Sequence, residues 1–156
     1  EHLAQIRAGM FGVCNEPGGT ATRAGTVINL SRTPDGRIVD RSVAPAGSTP
    51  IQIAGKTGTS QVRIITAAER SRGVISNANL PWALRDNALF ISWGPYDNPR
   101  YACAVVIEHG GHTNPEFDAP MVTARTLREC FLRDPANRQP ARLAQLEPAV
   151  STGRSA

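Results

Sequence analysis

Lysine is nearly missing from this chain of 156 residues: there is one, Lys56, against sixteen arginines. A compact ammonium is therefore used at a single position, where the planar guanidinium favoured everywhere else does not serve. Cysteine is also scarce. Cys14, Cys103 and Cys130 lie far apart within apolar segments, which excludes the paired spacing of a zinc site and the even count of a disulfide framework, and reads as buried free thiols. Long apolar runs are absent. Hydrophobic residues make up 40% of the chain, yet none of their runs approaches the roughly 20 residues that a membrane-spanning helix needs. The net charge of +4 comes from arginines scattered over loops and the tail without aromatic interleaving, so nucleic acid is excluded as a partner. No signal peptide is visible. The chain opens on Glu1-His2-Leu3, already in helical pattern, which reads as a boundary inside a longer polypeptide whose targeting segment lies upstream. The length suits one core.

Leu3, Ile6, Met10 and Val13 recur at steps of three and four, predicting an amphipathic helix over residues 1 to 13 that Asn15-Glu16-Pro17-Gly18-Gly19 ends. Thr20-Ala21-Thr22 reads as a cap for a further helical turn. Residues 22 to 50 hold short β-leaning pieces around the turn Thr33-Pro34-Asp35-Gly36 and read as a surface insertion. Ile51 to Ser60 is expected to be a strand ending in Lys-Thr-Gly-Thr, one ammonium and two hydroxyls along an edge that suits a carboxylate. Gly73, Ser76, Asn77, Asn79 and Pro81 make residues 61 to 84 a long mobile loop with Trp82 pinning its far end. Two apolar runs, Ala88 to Trp93 and Tyr101 to Ile107, read as an antiparallel hairpin. Both faces of the second are apolar, which predicts a central strand covered on both sides. Asp118 followed by Pro120 starts a helix running to about Leu132, with Val122, Leu127 and Phe131 inward. From Arg133 to Ala156 no periodicity remains, and the expectation is a disordered tail.

Gly55-Lys56-Thr57 has one reading besides a carboxylate grip. A phosphate-cradling loop requires glycine five positions before Gly55, where Pro50 stands, and a helix directly after Thr57, where Gly58 follows. His109 and His112 flank two glycines, but only Glu108 stands beside them as a further ligand type, so they read as loop-end histidines and no metal is expected.

Lys-Thr-Gly is the third motif of serine acyl-transferases acting on penicillin and cell-wall peptides, beside Ser-x-x-Lys and Ser-x-Asn. Around it, Gly55-Lys56-Thr57-Gly58-Thr59-Ser60-Gln61-Val62, Arg85-Asp86-Asn87-Ala88-Leu89-Phe90, Pro95-Tyr96-Asp97-Asn98-Pro99 and Val106-Ile107-Glu108-His109-Gly110-Gly111 follow in order. Over residues 1 to 132 the chain resembles the C-terminal part of the transpeptidase domain of class B penicillin-binding proteins. Met10-Phe11-Gly12-Val13 and Gly19-Thr20-Ala21 are similar to its elongation-specific branch, the penicillin-binding protein 2 type. Residues 22 to 50 are longer than that family usually has, and the tail has no counterpart in it.

The resemblance implies an α/β (α+β) fold, an antiparallel sheet covered by helices on both faces, with the Lys-Thr-Gly strand at the edge of a cleft. It implies catalytic roles for Lys56, as positive charge beside the reacting hydroxyls, and for Thr59, whose N–H forms half of an oxyanion hole. Thr57, Gly58 and Thr59 bind the substrate, the hydroxyls on its carboxylate and Gly58 leaving room for it. The implied ligands are a stem peptide ending in D-Ala-D-Ala and β-lactams, with no cofactor. The implied partners are the missing N-terminal half of the same protein and the cell-wall elongation complex, and the implied place is the periplasmic face of the bacterial inner membrane, anchored upstream. One departure bears on mechanism: a Ser-x-x-Lys motif ending at Lys56 needs serine at 53, where Ile53 stands, and no Ser-x-Asn triplet occurs. The nucleophile is therefore expected upstream and the chain alone inert. Without the family's first two strands, the strand at 101 to 107 exposes an apolar edge, so the isolated chain is expected to self-associate or be held by its other half. Two alternatives stay open: a non-catalytic relative using the same cleft or the 61 to 84 loop for binding, and a β-lactamase or D,D-carboxypeptidase of the same fold.

Overall fold

The computed structural model describes residues 1–111 and 114–137. Helix α1, His2–Asn15, follows the predicted three-and-four spacing, but its apolar stripe is only half used: Cys14 is buried, Met10 and Val13 are half-buried, and Leu3 and Ile6 are 69% and 59% exposed. Helix α2, Thr22–Ile28, ends where Asn29 turns left-handed at φ 40. Strands β1 (Leu30–Arg32), β2 (Ile38–Asp40) and β3 (Thr49–Pro50) form a small antiparallel sheet in the order β2-β1-β3. A second antiparallel sheet, β4-β5-β6, is built from β4 (Ala54–Ser60), β5 (Asn87–Gly94) and β6 (Tyr101–Ile107). The short helix α3, Ala67–Arg72, lies between β4 and β5, and α4, Ala119–Leu132, follows β6. The fold is mixed α/β with antiparallel sheets and helices, as the sequence led one to expect.

Period-two alternation fixes how the larger sheet packs. Ala88, Phe90 and Ser92 of β5 are buried together on the face that α4 covers with Leu127 and Phe131. The rings of Tyr101 and Phe131 lie 6.0 Å apart across that layer. α4 starts as its sequence dictates: the Asp118 carboxylate accepts the Met121 N–H at 3.0 Å, and Pro120 sits in the first turn. α2 packs against α4, and α1 runs along β4, with the Arg7 guanidinium 5.0 Å from the Trp93 ring centre.

Three expectations change. Residues 22 to 50 are not merely a surface insertion, because Ala24, Ile28 and Leu30 are fully buried in the main core and Asp40 pairs with Arg128 of α4. The short helical spacing Ala24–Ile28 was hidden by the threonines and glycine around it. Strand β6 is not central among the described residues; it ends the sheet, and Ala102, Ala104 and Val106 face solvent, Val106 at 58% exposure and its neighbour Ile91 on β5 at 53%. The cover that the second apolar face of β6 predicts is not present among the described residues. Finally, order continues past Arg133. Asp134 is buried against Arg100 at 2.9 Å, and the Asn137 carboxamide accepts the Ile38 N–H at 2.8 Å while donating to the Ile38 carbonyl at 3.2 Å. The rest of the expected tail, residues 138 to 156, lies outside the described residues.

These contacts rank two substitutions. Phe131→Ala empties a fully buried site and is expected to cost about 3–5 kcal/mol, while Val106→Ala should stay within about 0.5 kcal/mol; chemical denaturation measures both, and equal losses would contradict the exposed face of β6. Asp40 gives a pH test. The Ser42 hydroxyl at 2.7 Å, then the Ser42 N–H and the Arg128 guanidinium, hold its carboxyl down at about 2 from an ordinary 3.8. A depressed folded value supplies stability above the unfolded value and loses it as pH falls through the folded one. Asp40→Asn should therefore be less stable than the parent at about pH 5, and that gap should close between about pH 4 and pH 2; a gap independent of pH would contradict the pairing.

Candidate active-site groove

Strand β4 is short of side-chain bulk by sequence, and each small residue has a different reason. A Cβ added at Gly55 would lie 2.4 Å from the Phe90 ring and 2.8 Å from the Ile91 carbonyl, so the core requires glycine there. A Cβ at Gly58 would meet only the Leu89 Cβ at 3.5 Å, an ordinary contact, so packing within the chain makes no such demand. The register runs antiparallel from Ala54 opposite Trp93 to Ser60 opposite Asn87, with Lys56 opposite Ile91 and Thr57 opposite Phe90. Among the described residues β4 has a strand neighbour on one side alone, leaving its other edge toward a groove of about 530 Å³ lined by Thr20, Lys56, Thr57, Gly58 and Thr59.

All four residues singled out in the sequence thus share one groove. Alternation sends Lys56 and Gly58 to the Ile91 face and Thr57 and Thr59 to the Phe90 face. The Lys56 side chain is exposed and bends along the strand, its Nζ donating to the Thr57 carbonyl at 2.7 Å. The flexible four-carbon stem lets the ammonium fold back to this carbonyl.

The fifth residue was missed. Thr20 read as a helix cap, but α2 has no side-chain cap, and the Thr20 hydroxyl instead shares a 2.9 Å hydrogen bond with the Thr57 hydroxyl across the groove floor. Its position is set by backbone. The Gly19 N–H donates to the Glu16 carbonyl at 3.0 Å and the Ala21 N–H to the Val13 carbonyl at 2.9 Å, which pins the residue on both sides. Gly19 itself lies so close to α1 that an added Cβ would meet the Gly12 and Val13 carbonyls at 2.4 and 2.5 Å. The Gly19-Thr20 pair was the one signal available in sequence: a glycine at a helix exit followed by a hydroxyl.

Residues 61 to 84 connect β4 to β5 and are held by their own contacts. Arg63 and Glu69 form a two-pronged ion pair at 2.7 Å for both contacts, and Thr66 caps α3 by accepting the Glu69 N–H at 3.2 Å. At the far end Asn77 and Asp86 exchange hydrogen bonds of 2.8 and 3.0 Å, the Asp86 carbonyl accepts the Gly111 N–H at 2.9 Å, and Trp82 meets the His109 ring edge-on at 4.5 Å while remaining 62% exposed. His112 lies outside the described residues, so its pairing with His109 is not described; among the described residues no group of three or more metal-ligating side chains exists. A larger cavity of about 630 Å³ lies elsewhere, between α4 and the start of β6, lined by Tyr101, Arg125, Thr126, Glu129, Cys130 and Arg133. Its Arg and Glu side chains are largely exposed and pair with carboxylates or guanidinium groups at the surface, whereas the groove along β4 gathers three threonine hydroxyls and an ammonium along one strand edge, so the groove is the better chemical site.

Known proteins match this chain in sequence. The penicillin binding protein transpeptidase domain matches residues 1–128. Peptidoglycan D,D-transpeptidase MrdA of Escherichia coli strain K12 is 32% identical over 103 residues, 66% of this chain and 12% of that protein. Its counterpart in Acinetobacter baumannii is 37% identical over 86 residues, 49% of this chain and again 12% of the protein. This chain therefore spans 12% of the length of these curated relatives. Among solved structures, Pseudomonas aeruginosa PBP2 in complex with WCK 5153 aligns with a TM-score of 0.47 at 25% identity, over 91% of this chain and 21% of that one. The complex of PBP2 and MreC from Helicobacter pylori aligns with a TM-score of 0.46 at 23% identity, over 81% and 16%. With residues 1–128 matched from end to end and the Lys-Thr-Gly strand lying along an open groove, the chain belongs to the penicillin-binding protein transpeptidase domain family.

Proposed function

We propose that this chain supplies the Lys-Thr-Gly wall of a peptidoglycan D,D-transpeptidase, of the elongation-specific type, that cross-links stem peptides through a serine acyl-enzyme and is inhibited by β-lactams. The observation that carries the proposal is the edge position of β4, which presents Lys56, Thr57, Gly58 and Thr59 along one groove. A strand at the end of a sheet accepts an extended peptide as an added strand, its main chain giving affinity and the flanking side chains giving selectivity. In this reading the D-alanyl carboxylate sits against the Thr57 and Thr59 hydroxyls. Gly58, which the chain's own packing leaves free to carry a side chain, is glycine so that the ligand backbone can approach. Lys56 holds positive charge where negative charge gathers, and the Thr59 N–H stabilises the oxyanion of the tetrahedral intermediate, a donor type whose loss costs about 3–4 kcal/mol of barrier.

The nucleophile is not in this wall. Neither Ser-x-x-Lys nor Ser-x-Asn occurs in the sequence, and acyl transfer needs a hydroxyl within hydrogen-bond reach of a base. The proposal places both motifs in an upstream segment that docks across the groove, and with them the anchor in the inner membrane, whose periplasmic face is the proposed location. Among the described residues no helix is long and apolar enough to cross a membrane. The elongation complex of the cell wall is the proposed setting; the Helicobacter pylori relative is recorded in complex with MreC.

Labelling with a fluorescent penicillin tests this. The longer protein should label covalently, this chain alone should not, and Lys56→Ala in the longer protein should slow labelling by about 100-fold or more. Covalent labelling of this chain by itself would refute the placement of the nucleophile, and unchanged labelling of Lys56→Ala would refute the role of Lys56.

A further inference from the structure

We infer that Thr20 is a positioning residue of the groove, acting through the Thr57 hydroxyl to keep it a donor toward the carboxylate of the incoming peptide. This rests on the reading of the groove as a carboxylate-binding wall. Each threonine hydroxyl has one proton and two lone pairs. In the 2.9 Å pair between Thr20 and Thr57 one proton lies between the oxygens, and the other is turned outward. When a carboxylate, which only accepts, enters beside Thr57, that outward proton must be the one on Thr57, and Thr20 then donates to Thr57. The two hydroxyls form a relay with one outlet, and the bond behind Thr57 strengthens the donor in front of it.

Geometry favours a built arrangement over a chance contact. Thr20 is separated from Thr57 by 37 positions in sequence, yet its backbone is fixed on both sides by main-chain hydrogen bonds to the last turn of α1, and Gly19 is jammed against two α1 carbonyls. Thr20 caps no helix: the side chain of neither α2 nor its preceding residue closes the first turn. Its hydroxyl is exposed, so no burial requirement explains it, and valine in its place would fill the same volume. What the hydroxyl adds is the pairing. Across the strands from Thr57 stand Phe90 and Val105, both apolar.

A binding titration of the full chain separates the possibilities. N-acetyl-D-alanyl-D-alanine and its C-terminal amide are titrated in turn, following the backbone amide resonances of Gly58 and Thr59. The parent chain should favour the acid over the amide. Thr20→Val should weaken acid binding by about five-fold and leave amide binding unchanged, and Thr20→Ser should restore the acid preference. Thr20→Ala, checked for folding by its thermal melt, serves as a second deletion of the hydroxyl and should behave as Thr20→Val does. Acid binding unchanged in both deletions would overturn the inference while leaving the groove reading intact. Equal weakening of acid and amide would also overturn it, since a merely structural role for Thr20 acts on both. Binding of neither compound by the parent chain would overturn the groove reading and this inference together.

Discussion

The antiparallel pairing of β4 with β5 is the constraint on which the rest of the molecule depends. Seven residues of β4 are held in register from Ala54 opposite Trp93 to Ser60 opposite Asn87, and a slip of one position would turn Lys56 to the core face and Thr57 away from Thr20. Gly55 serves that register directly, letting Phe90 close over β4 with no space for a Cβ, while Gly19 lets the chain leaving α1 fold back onto the Gly12 and Val13 carbonyls next to Thr20. Phe90 is in turn buried beneath α4 with Leu127 and Phe131. The core thus sets the position of the groove, while the residues that line it are left exposed or half-exposed and available to a ligand.

The same sheet carries an asymmetry that fits a chain matching a small part of longer relatives. Its inner face is packed by α4, with α2 behind, whereas the outer face shows Ile91 and Val106 to solvent alongside the uncovered Leu3 and Ile6 of α1. Apolar side chains repeated on alternate positions of two neighbouring strands are the pattern of a covered surface. The upstream segment of the proposed function would bury these residues if it docked over that face.

Much of this was legible in the sequence where local rules decide alone. Asp118 and Pro120 mark the start of α4, the apolar run from Ala88 to Trp93 marks β5, and Lys-Thr-Gly-Thr after Ile51 and Ile53 marks the strand β4. What stayed hidden depends on contacts distant in the chain. Thr20 resembles any cap-forming threonine until Thr57 is brought beside it, and the burial of Ala24, Ile28 and Leu30 follows from α2 meeting α4, a packing that a stretch rich in threonine, glycine and turn residues does not announce. For β6 the composition was informative in the other direction. Its two apolar faces predict cover on both, and the described residues provide it on one.

The central claim is that a peptide with a D-alanyl terminus lies along the open edge of β4. Intermolecular nuclear Overhauser effects between the methyl protons of N-acetyl-D-alanyl-D-alanine and the chain's backbone amides locate it directly. The account predicts contacts to the amides of Thr57, Gly58 and Thr59. Contacts confined to the cavity beside Tyr101 and Cys130, with none along β4, would contradict it.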